Sequence, residues 1–149
     1  MVPSSKIVLY GAAGVTGRMI LSRLASLGLK PRLAGRDTQR LAALGAQYAL
    51  GVHEAKIDDP AALANCLPQG GLLINAAGPF AITAKPLIGA ALSCGCDYFD
   101  VSGELDSLRA LLALDGAAKK AGRVLIGGGG FGIAATDILV SKLAASLLC

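Results

Sequence analysis

The segment from Ile7 to Arg18 reads IVLYGAAGVTGR and joins a short apolar run to glycines at positions 11, 14 and 17. The apolar run predicts a buried strand, and the residues from Val15 onward predict a helix. Gly11 would permit a tight turn, Gly14 a close approach of the backbone to a ligand, and Gly17 close packing of helix on sheet. A plain connecting turn is the alternative, which the glycine spacing between strand and helix disfavours.

Backbone amides at the start of this helix have no partner within the helix and are free to bind an anion. The helix dipole adds positive potential at the same end. The segment therefore predicts a site for the pyrophosphate of a dinucleotide. Its candidate residues are Gly11, Ala13, Gly14, Val15, Thr16 and Gly17.

Short apolar segments alternate with helical patterns along the chain, which predicts successive βαβ units. Strands are predicted at residues 7–10, 32–34, 55–57, 72–75, 98–101 and 124–126. Helices are predicted at residues 15–27, 38–46, 60–66, 85–94, 107–121 and 135–148. Right-handed crossovers then give an α/β, doubly wound parallel sheet of Rossmann type in a single domain, with strand order 3-2-1-4-5-6. Ligands are expected beyond the carboxyl ends of strands 1 and 4.

The composition favours one domain with a large core, because 54% of the 149 residues are hydrophobic and only 16% are charged. No run of about 20 apolar residues and no secretory signal is visible, so we expect a cytoplasmic protein without a membrane segment. The four cysteines are expected to be reduced. With His53 as the single histidine, no metal site is expected.

The net charge of +4 is concentrated in residues 1–50, which hold seven basic side chains and one acidic side chain, Asp37. Neither a compact basic run nor interleaved aromatic residues accompany this charge, which disfavours nucleic-acid binding. A bound nucleotide phosphate or a solvated basic surface explains it better.

Strand 2 leads into Gly35, Arg36 and Asp37. A domain selective for NAD usually has an acid here that binds the ribose 2′-hydroxyl. Arg36 can instead pair with a 2′-phosphate and stack on adenine, which favours NADP and makes NAD the weaker alternative. The competing interpretation is a solvated arginine before a helix that is capped by Asp37 or Thr38.

The ends of strands 3, 4 and 5 carry the other candidate residues. Asp58 could accept from the adenine amino group, or it is a plain turn residue, while Asp59 is expected to cap the helix that begins at Pro60. Asp100 and Glu104 could orient a substrate or take a proton, or they cap loops. Small residues after strand 4 would let the backbone approach ribose and nicotinamide, or they serve close packing. These are Ala76, Ala77, Gly78 and Pro79.

Four segments, in this order and spacing, resemble the NADP-binding domain of saccharopine dehydrogenase-like oxidoreductases, which trans-acting enoyl reductases share. They are GAAGVTGR at 11–18, LAGR at 33–36, NAAGPF at 75–80 and YFDVSGE at 98–104. The resemblance covers nearly the whole chain and implies NADP-dependent hydride transfer to a small-molecule substrate that the sequence does not identify. It also implies that residues 11 and 14–17 hold the pyrophosphate, Arg36 and Asp58 the adenosine end, and residues 77–79 the nicotinamide side.

The chain departs from that family at Thr83 and Lys85, where a Tyr and an acid are common, so no substrate contact is carried over to these positions. Residues 130–137 resemble the crossing into the family's C-terminal substrate domain, with Gly132 where an Asp is common. That domain is absent from the 149 residues, and we therefore expect the chain alone to bind nucleotide and to turn over little.

Two other functions compete with this one. A non-catalytic NAD(P)-sensing module is the first, although the sequence has no Tyr-x-x-x-Lys pair of the short-chain dehydrogenases. A homodimer is the second, because Leu139, Leu143 and Leu147 recur every four residues and form one apolar stripe. That stripe would bury against a second copy or cover the sheet.

Overall fold

A computed structural model describes residues 6–147 of the chain. Its strands are β1 (Ile7–Tyr10), β2 (Arg32–Gly35), β3 (Val52–Glu54), β4 (Leu72–Asn75), β5 (Asp97–Asp100) and β6 (Leu125–Ile126). Its helices are α1 (Val15–Ser26), α2 (Thr38–Tyr48), α3 (Pro60–Cys66), α4 (Phe80–Ser93), α5 (Leu105–Leu112), α6 (Asp115–Ala121) and α7 (Phe131–Leu147). All strand pairs are parallel, and the sheet order is β3-β2-β1-β4-β5-β6. This confirms the predicted doubly wound α/β sheet.

The core has one layer on each face of the sheet, because side chains alternate along each strand. Ile7 and Leu9 of β1 pack in a cluster with residues of α1 and α2, whereas Val8 and Tyr10 pack with residues of α3 and α4. Every residue of β1 is buried. The continuous apolar character of this strand therefore follows from its central position, where helices cover both faces.

The predicted third strand at residues 55–57 is wrong, because β3 is Val52–Glu54. This strand lies at the edge of the sheet, where Val52 pairs with Leu33 and only one side has a neighbour. None of its residues is buried. An exposed edge strand does not need apolar residues, so apolar content does not identify it. The prediction was placed instead on the segment that begins at Ala55, which follows the strand and is buried.

Three predicted helices also differ from the structure by more than two residues or by an interruption, whereas the remaining helices and the strands other than β3 agree with the prediction to within two residues. The helix predicted at 85–94 begins five residues earlier, at Phe80, and contains Pro86. The helix predicted at 107–121 is interrupted, because α5 ends at Leu112 with a tight turn and α6 starts at Asp115. Asp115 lies in the first turn of α6, where an acid suits the helix N-terminus, consistent with a new helix that starts there. The last helix begins at Phe131 instead of residue 135, and residue 148 lies outside the described residues.

Helix α7 does not cover the sheet. Leu139 and Leu143 are 58% and 54% exposed, and so are their neighbours Ile138 and Val140 at 59% and 63%. The interpretation of the leucine stripe as a lid on the sheet is therefore wrong; the side chain of Leu147 is not described. Among residues 6–147, no helix has both the length and the apolar character that a membrane crossing requires.

Helix α3 provides a test of local stability. Asp59 precedes Pro60, and its Oδ1 accepts the amide of Ala62 at 2.9 Å, as the sequence predicted for an N-cap. We expect Asp59→Ala to lower the free energy of unfolding by about 1 kcal/mol, measured by urea denaturation without nucleotide. Asp58→Ala is the matched control, since it removes an exposed acid that makes no cap, and equal destabilisation by both variants would contradict the assignment.

Candidate functional site

The turn between β1 and α1 depends on two glycines. Gly11 has φ +82°, and a Cβ there would lie 2.8 Å from the Cβ of Ala77 and 2.9 Å from its nitrogen. A Cβ on Gly17 would overlap the carbonyl oxygen of Gly11 and lie 2.8 Å from the Cα of Ala12. The absence of side chains therefore lets α1 lie against the turn, and lets the loop after β4 lie against Gly11.

The N-terminus of α1 is open. Its N-cap, Gly14, makes no side-chain hydrogen bond, its first turn holds no acidic residue, and Gly14, Val15 and Thr16 are exposed. Each helix from α2 to α6 has a carboxylate at this end. These are Asp37 on α2, Asp59 on α3, Glu104 on α4, Asp106 on α5 and Asp115 on α6. Among α1 to α6, α1 is thus the helix whose N-terminal amides have no carboxylate beside them, which suits an external anion.

Arg18 was not among the predicted site residues, although it lies beside this turn. Its Nε donates to the carbonyl oxygen of Ala13 at 3.2 Å, and the side chain is exposed. The guanidinium therefore adds positive charge next to the open amides. The available signal was its spacing, because a residue four positions after Gly14 lies one helical turn further along the same side.

Arg36 and Asp58 lie beyond the carboxyl ends of β2 and β3, where both are exposed. Within the described residues Arg36 forms no salt bridge, whereas Asp37 pairs with Arg40 at 3.3 Å and caps α2. Burial raises the pKa of Tyr10, Asp58 raises it further and Arg36 lowers it. Because β2 and β3 are neighbouring parallel strands, the residues that follow their carboxyl ends lie at the same edge of the sheet.

Ala76, Ala77, Gly78 and Pro79 form the loop after β4. Hydrogen bonds from buried side chains fix the position of this loop. Asn75, fully buried, accepts the Ala77 amide on Oδ1 at 2.9 Å. The hydroxyl of Thr83, which is 8% exposed, donates to the Ala77 carbonyl at 2.6 Å. The structure therefore brings Ala76 and Ala77 next to Gly11, and the hydroxyl of Thr83 has its hydrogen-bond partners inside the protein.

Tyr98 and Asp100 of β5 extend this hydrogen bonding. Asn75 Nδ2 donates to the Tyr98 hydroxyl at 3.0 Å, and that hydroxyl donates to Asp100 Oδ2 at 2.9 Å. Asp100 Oδ1 accepts the amides of Ser102 and Gly128, each at 3.0 Å. Burial, and to a lesser degree Asp100, raises the pKa of Tyr98 far above its usual value, outweighing the hydrogen bond from Asn75. The hydroxyl thus stays protonated and can donate.

Glu104 caps α4 from a distance of more than twenty residues in the chain. Its carboxylate accepts the amides of Phe80 at 2.9 Å and Ala81 at 2.7 Å, and the Ser107 hydroxyl at 3.3 Å. These hydrogen bonds, first that of Phe80, lower the pKa of Glu104. Both acids that the sequence proposed for proton transfer, Asp100 and Glu104, are therefore bound to internal donors, which favours the loop-capping alternative.

The lowered pKa of Glu104 predicts a pH dependence. A carboxyl whose pKa is lowered on folding stabilises the fold above its unfolded pKa, about 4.3, and this contribution is lost as the pH falls through the folded-state pKa. We expect Glu104→Gln to reduce the free energy of unfolding at pH 7, and to reduce its fall between about pH 5 and about pH 3. Urea denaturation at several pH values measures this.

Asp106→Asn makes the same change in net charge on a neighbouring side chain that is 93% exposed. It serves as the control for charge alone. A Glu104→Gln variant with the full acid dependence of the unmodified chain would show that the cap at α4 does not contribute.

An apolar groove of about 460 Å³ lies elsewhere, on the face of the sheet across β4, β5 and β6. Leu72, Ile74, Phe99 and Ile126 line it, with the aspartate Asp97 at the start of β5. A dinucleotide carries charged phosphates, so the open helix end suits it and this groove does not. In the part of the chain that the structure describes, no cluster of three or more His, Cys, Asp or Glu side chains could hold a metal ion.

Several known proteins are similar to this chain. The family model for the saccharopine dehydrogenase NADP binding domain matches residues 7–126. A probable mitochondrial saccharopine dehydrogenase-like oxidoreductase of Arabidopsis thaliana is 30% identical over 146 residues, covering 87% of this chain and 32% of that protein. A trans-acting enoyl reductase of Mycobacterium ulcerans is 35% identical over 109 residues, covering 67% of this chain and 26% of the reductase.

A solved structure has the same fold. Apo saccharopine dehydrogenase (L-Glu forming) from Saccharomyces cerevisiae superposes with a TM-score of 0.80 at 18% identity, covering 94% of this chain and 30% of that one. The chain thus spans about a third or less of the length of these relatives.

Proposed function

Because the chain belongs to the saccharopine dehydrogenase NADP-binding domain family, we propose that it holds NADP across the carboxyl edge of its sheet and serves in hydride transfer. The observation that carries this proposal is the open N-terminus of α1 beside the Gly11 turn. Its free amides and the helix dipole suit a pyrophosphate, whereas each of the helices α2 to α6 has a carboxylate at the corresponding end that would repel a second anion.

We assign three parts of the cofactor to three parts of this edge. The turn and the start of α1 would hold the pyrophosphate through Gly11, Ala13, Gly14, Val15, Thr16 and Gly17. Arg36 would bind the 2′-phosphate, and Asp58 the adenine amino group. The loop after β4 would contact the ribose and nicotinamide through Ala76, Ala77, Gly78 and Pro79. The exposure of Arg36 and Asp58, and the small side chains after β4, support this order.

The nicotinamide supplies the hydride when it is bound, and the chain's residues supply position and charge. No side chain is assigned as a general acid or base, since Asp100 and Glu104 both have internal partners. The substrate class stays open. NADP is preferred over NAD because the end of β2 carries Arg36, while the acid beside it, Asp37, is engaged as the cap of α2 and in the pair with Arg40.

Fluorescence titration with NADPH and NADH tests the proposal. We expect NADPH to bind with a Kd well below 1 millimolar, which means a binding free energy more favourable than about −4 kcal/mol. NADH should bind at least about tenfold more weakly. NADPH binding weaker than millimolar would refute the site, and equal affinities would refute the assignment of Arg36. The chain alone is expected to show little turnover.

The family match favours this function over the NAD(P)-sensing alternative. The homodimer stays a prediction, supported by the exposed side chains of Leu139 and Leu143, and light scattering would measure its mass. The cytoplasmic location likewise stays a prediction from the sequence.

A further inference from the structure

A chain of buried hydrogen bonds runs across β4 and β5 to the loop after β6, directly beneath the edge that we assign to the cofactor. Its members Asn75, Tyr98 and Asp100 are 0%, 1% and 1% exposed. We infer that these three residues, together with Thr83, are positioning residues for the nicotinamide half of the cofactor, because they set the distance between the loop after β4 and the Gly11 turn. This inference rests on the function proposed above.

The network contacts the loop after β4 through the backbone of Ala77. Its amide is held by Asn75 and its carbonyl by Thr83, while Asn75 Nδ2 also donates to the Thr83 hydroxyl at 3.2 Å. On the other side Ala77 packs so closely on Gly11 that no Cβ would fit there. The loop therefore cannot move relative to Gly11 without breaking a hydrogen bond or opening this contact.

Asp100 anchors the other end of the network. Its carboxylate has three donors, namely the Tyr98 hydroxyl and the amides of Ser102 and Gly128. Ser102 takes part through its backbone only, because its buried hydroxyl has no partner among residues 6–147. The loops after β4, β5 and β6 are thus joined to one buried acid, and they are expected to keep a common arrangement.

Stability alone does not explain such a network. An apolar replacement of similar shape is often nearly neutral when both hydrogen-bond partners are removed, whereas removing one partner leaves a buried polar group unsatisfied. The network lies where three loops meet the proposed nicotinamide side, and none of its members reaches Arg36 or the start of α1 through the hydrogen bonds described. It should therefore affect the two halves of the cofactor unequally.

Two ligands allow binding at the two halves of the site to be measured separately. NADPH contacts the whole proposed site, whereas adenosine 2′,5′-bisphosphate carries only the adenosine end and its phosphates. Tyr98→Phe removes the central hydroxyl, and Thr83→Val removes the hydroxyl that holds Ala77. We expect each variant to weaken NADPH about 3–10-fold, the effect of one hydrogen bond, and to leave bisphosphate affinity within about twofold. Thr83→Ser should restore NADPH affinity and the fluorescence spectrum of the bound nicotinamide.

Tyr48→Phe is the matched control, since it makes the same chemical change in α2, in the cluster on the opposite face of the sheet. It should leave both affinities unchanged. Equal weakening of both ligands by folded Tyr98→Phe and Thr83→Val, or no weakening of NADPH, would overturn the positioning role alone. Should Tyr98→Phe not fold, Thr83→Val and Thr83→Ser decide the question. If the unmodified chain bound neither ligand, the proposed function would fail, and the positioning role with it.

Discussion

A single methyl group at position 17 is expected to disrupt both the fold and the cofactor site. The Cβ of Gly17→Ala would overlap the Gly11 carbonyl oxygen and press on the Cα of Ala12, and these are backbone atoms that no rotamer change can move. Overpacking typically costs about 1–3 kcal/mol, and a clash with backbone lies at the upper end. We therefore expect a loss of about 3 kcal/mol in the free energy of unfolding, measured by urea denaturation.

The same substitution should weaken NADPH by more than about tenfold, because α1 must move away from the turn and take its open amides with it. Gly89→Ala is the matched control. Gly89 lies inside α4, is exposed, and has no atom within 4 Å of the position of a new Cβ. Alanine there should stabilise the protein by about 0.5–1 kcal/mol through helix propensity. If the two variants lost stability alike, close packing at Gly17 would not be the reason.

Replacing Arg36 should lower the affinity for NADPH and leave the affinity for NADH nearly unchanged. A hydrogen bond to a charged group contributes about 1.5–3 kcal/mol, so Arg36→Gln should weaken NADPH about 10–100-fold. NADH lacks the 2′-phosphate, and its affinity should change by no more than about twofold. Fluorescence titrations with both nucleotides measure this directly. Raising the salt concentration should weaken NADPH binding to the unmodified chain more than to the variant, because salt screens the charge pair.

Arg40→Gln controls for net charge, since Arg40 lies in the first turn of α2, after Arg36 in the chain, and already pairs with Asp37. It should leave NADPH affinity nearly unchanged. If Arg36→Gln weakened NADPH and NADH equally, Arg36 would act on the adenine or on the general potential, and the preference for NADP would need another source.

The fold was largely predictable because its strongest signals are local. The run from Ile7 to Tyr10 is apolar at every position, since β1 is covered on both faces, and Gly11 and Gly17 after it stand where a side chain has no room. The edge strand β3 was misplaced because edge strands need no apolar pattern. The start of α4 was misplaced because Glu104, far away in the sequence, caps it.

The residues of the candidate site likewise fall into those that the sequence could propose and those that it could not. Gly11, Gly17 and Arg36 could be proposed from residue type and spacing, because each role depends on the backbone or charge of one short segment. The roles of Asn75, Thr83 and Tyr98 could not, since each has a hydrogen-bond partner that a different element supplies. Asp100 and Glu104 were noticed as polar residues at a strand end, but their partners decide that they hold loops.

The amino-acid sequence alone thus determined the order of the strands in the sheet, the glycine turn after β1 and the family, because all three depend on short-range patterns of glycine and apolar residues. Only the tertiary structure decided which carboxylates are engaged, which helix end stays open, and how the loops after β4, β5 and β6 are tied together. The physical reason is that hydrogen bonds between distant segments depend on ångström distances, which no spacing along the chain specifies.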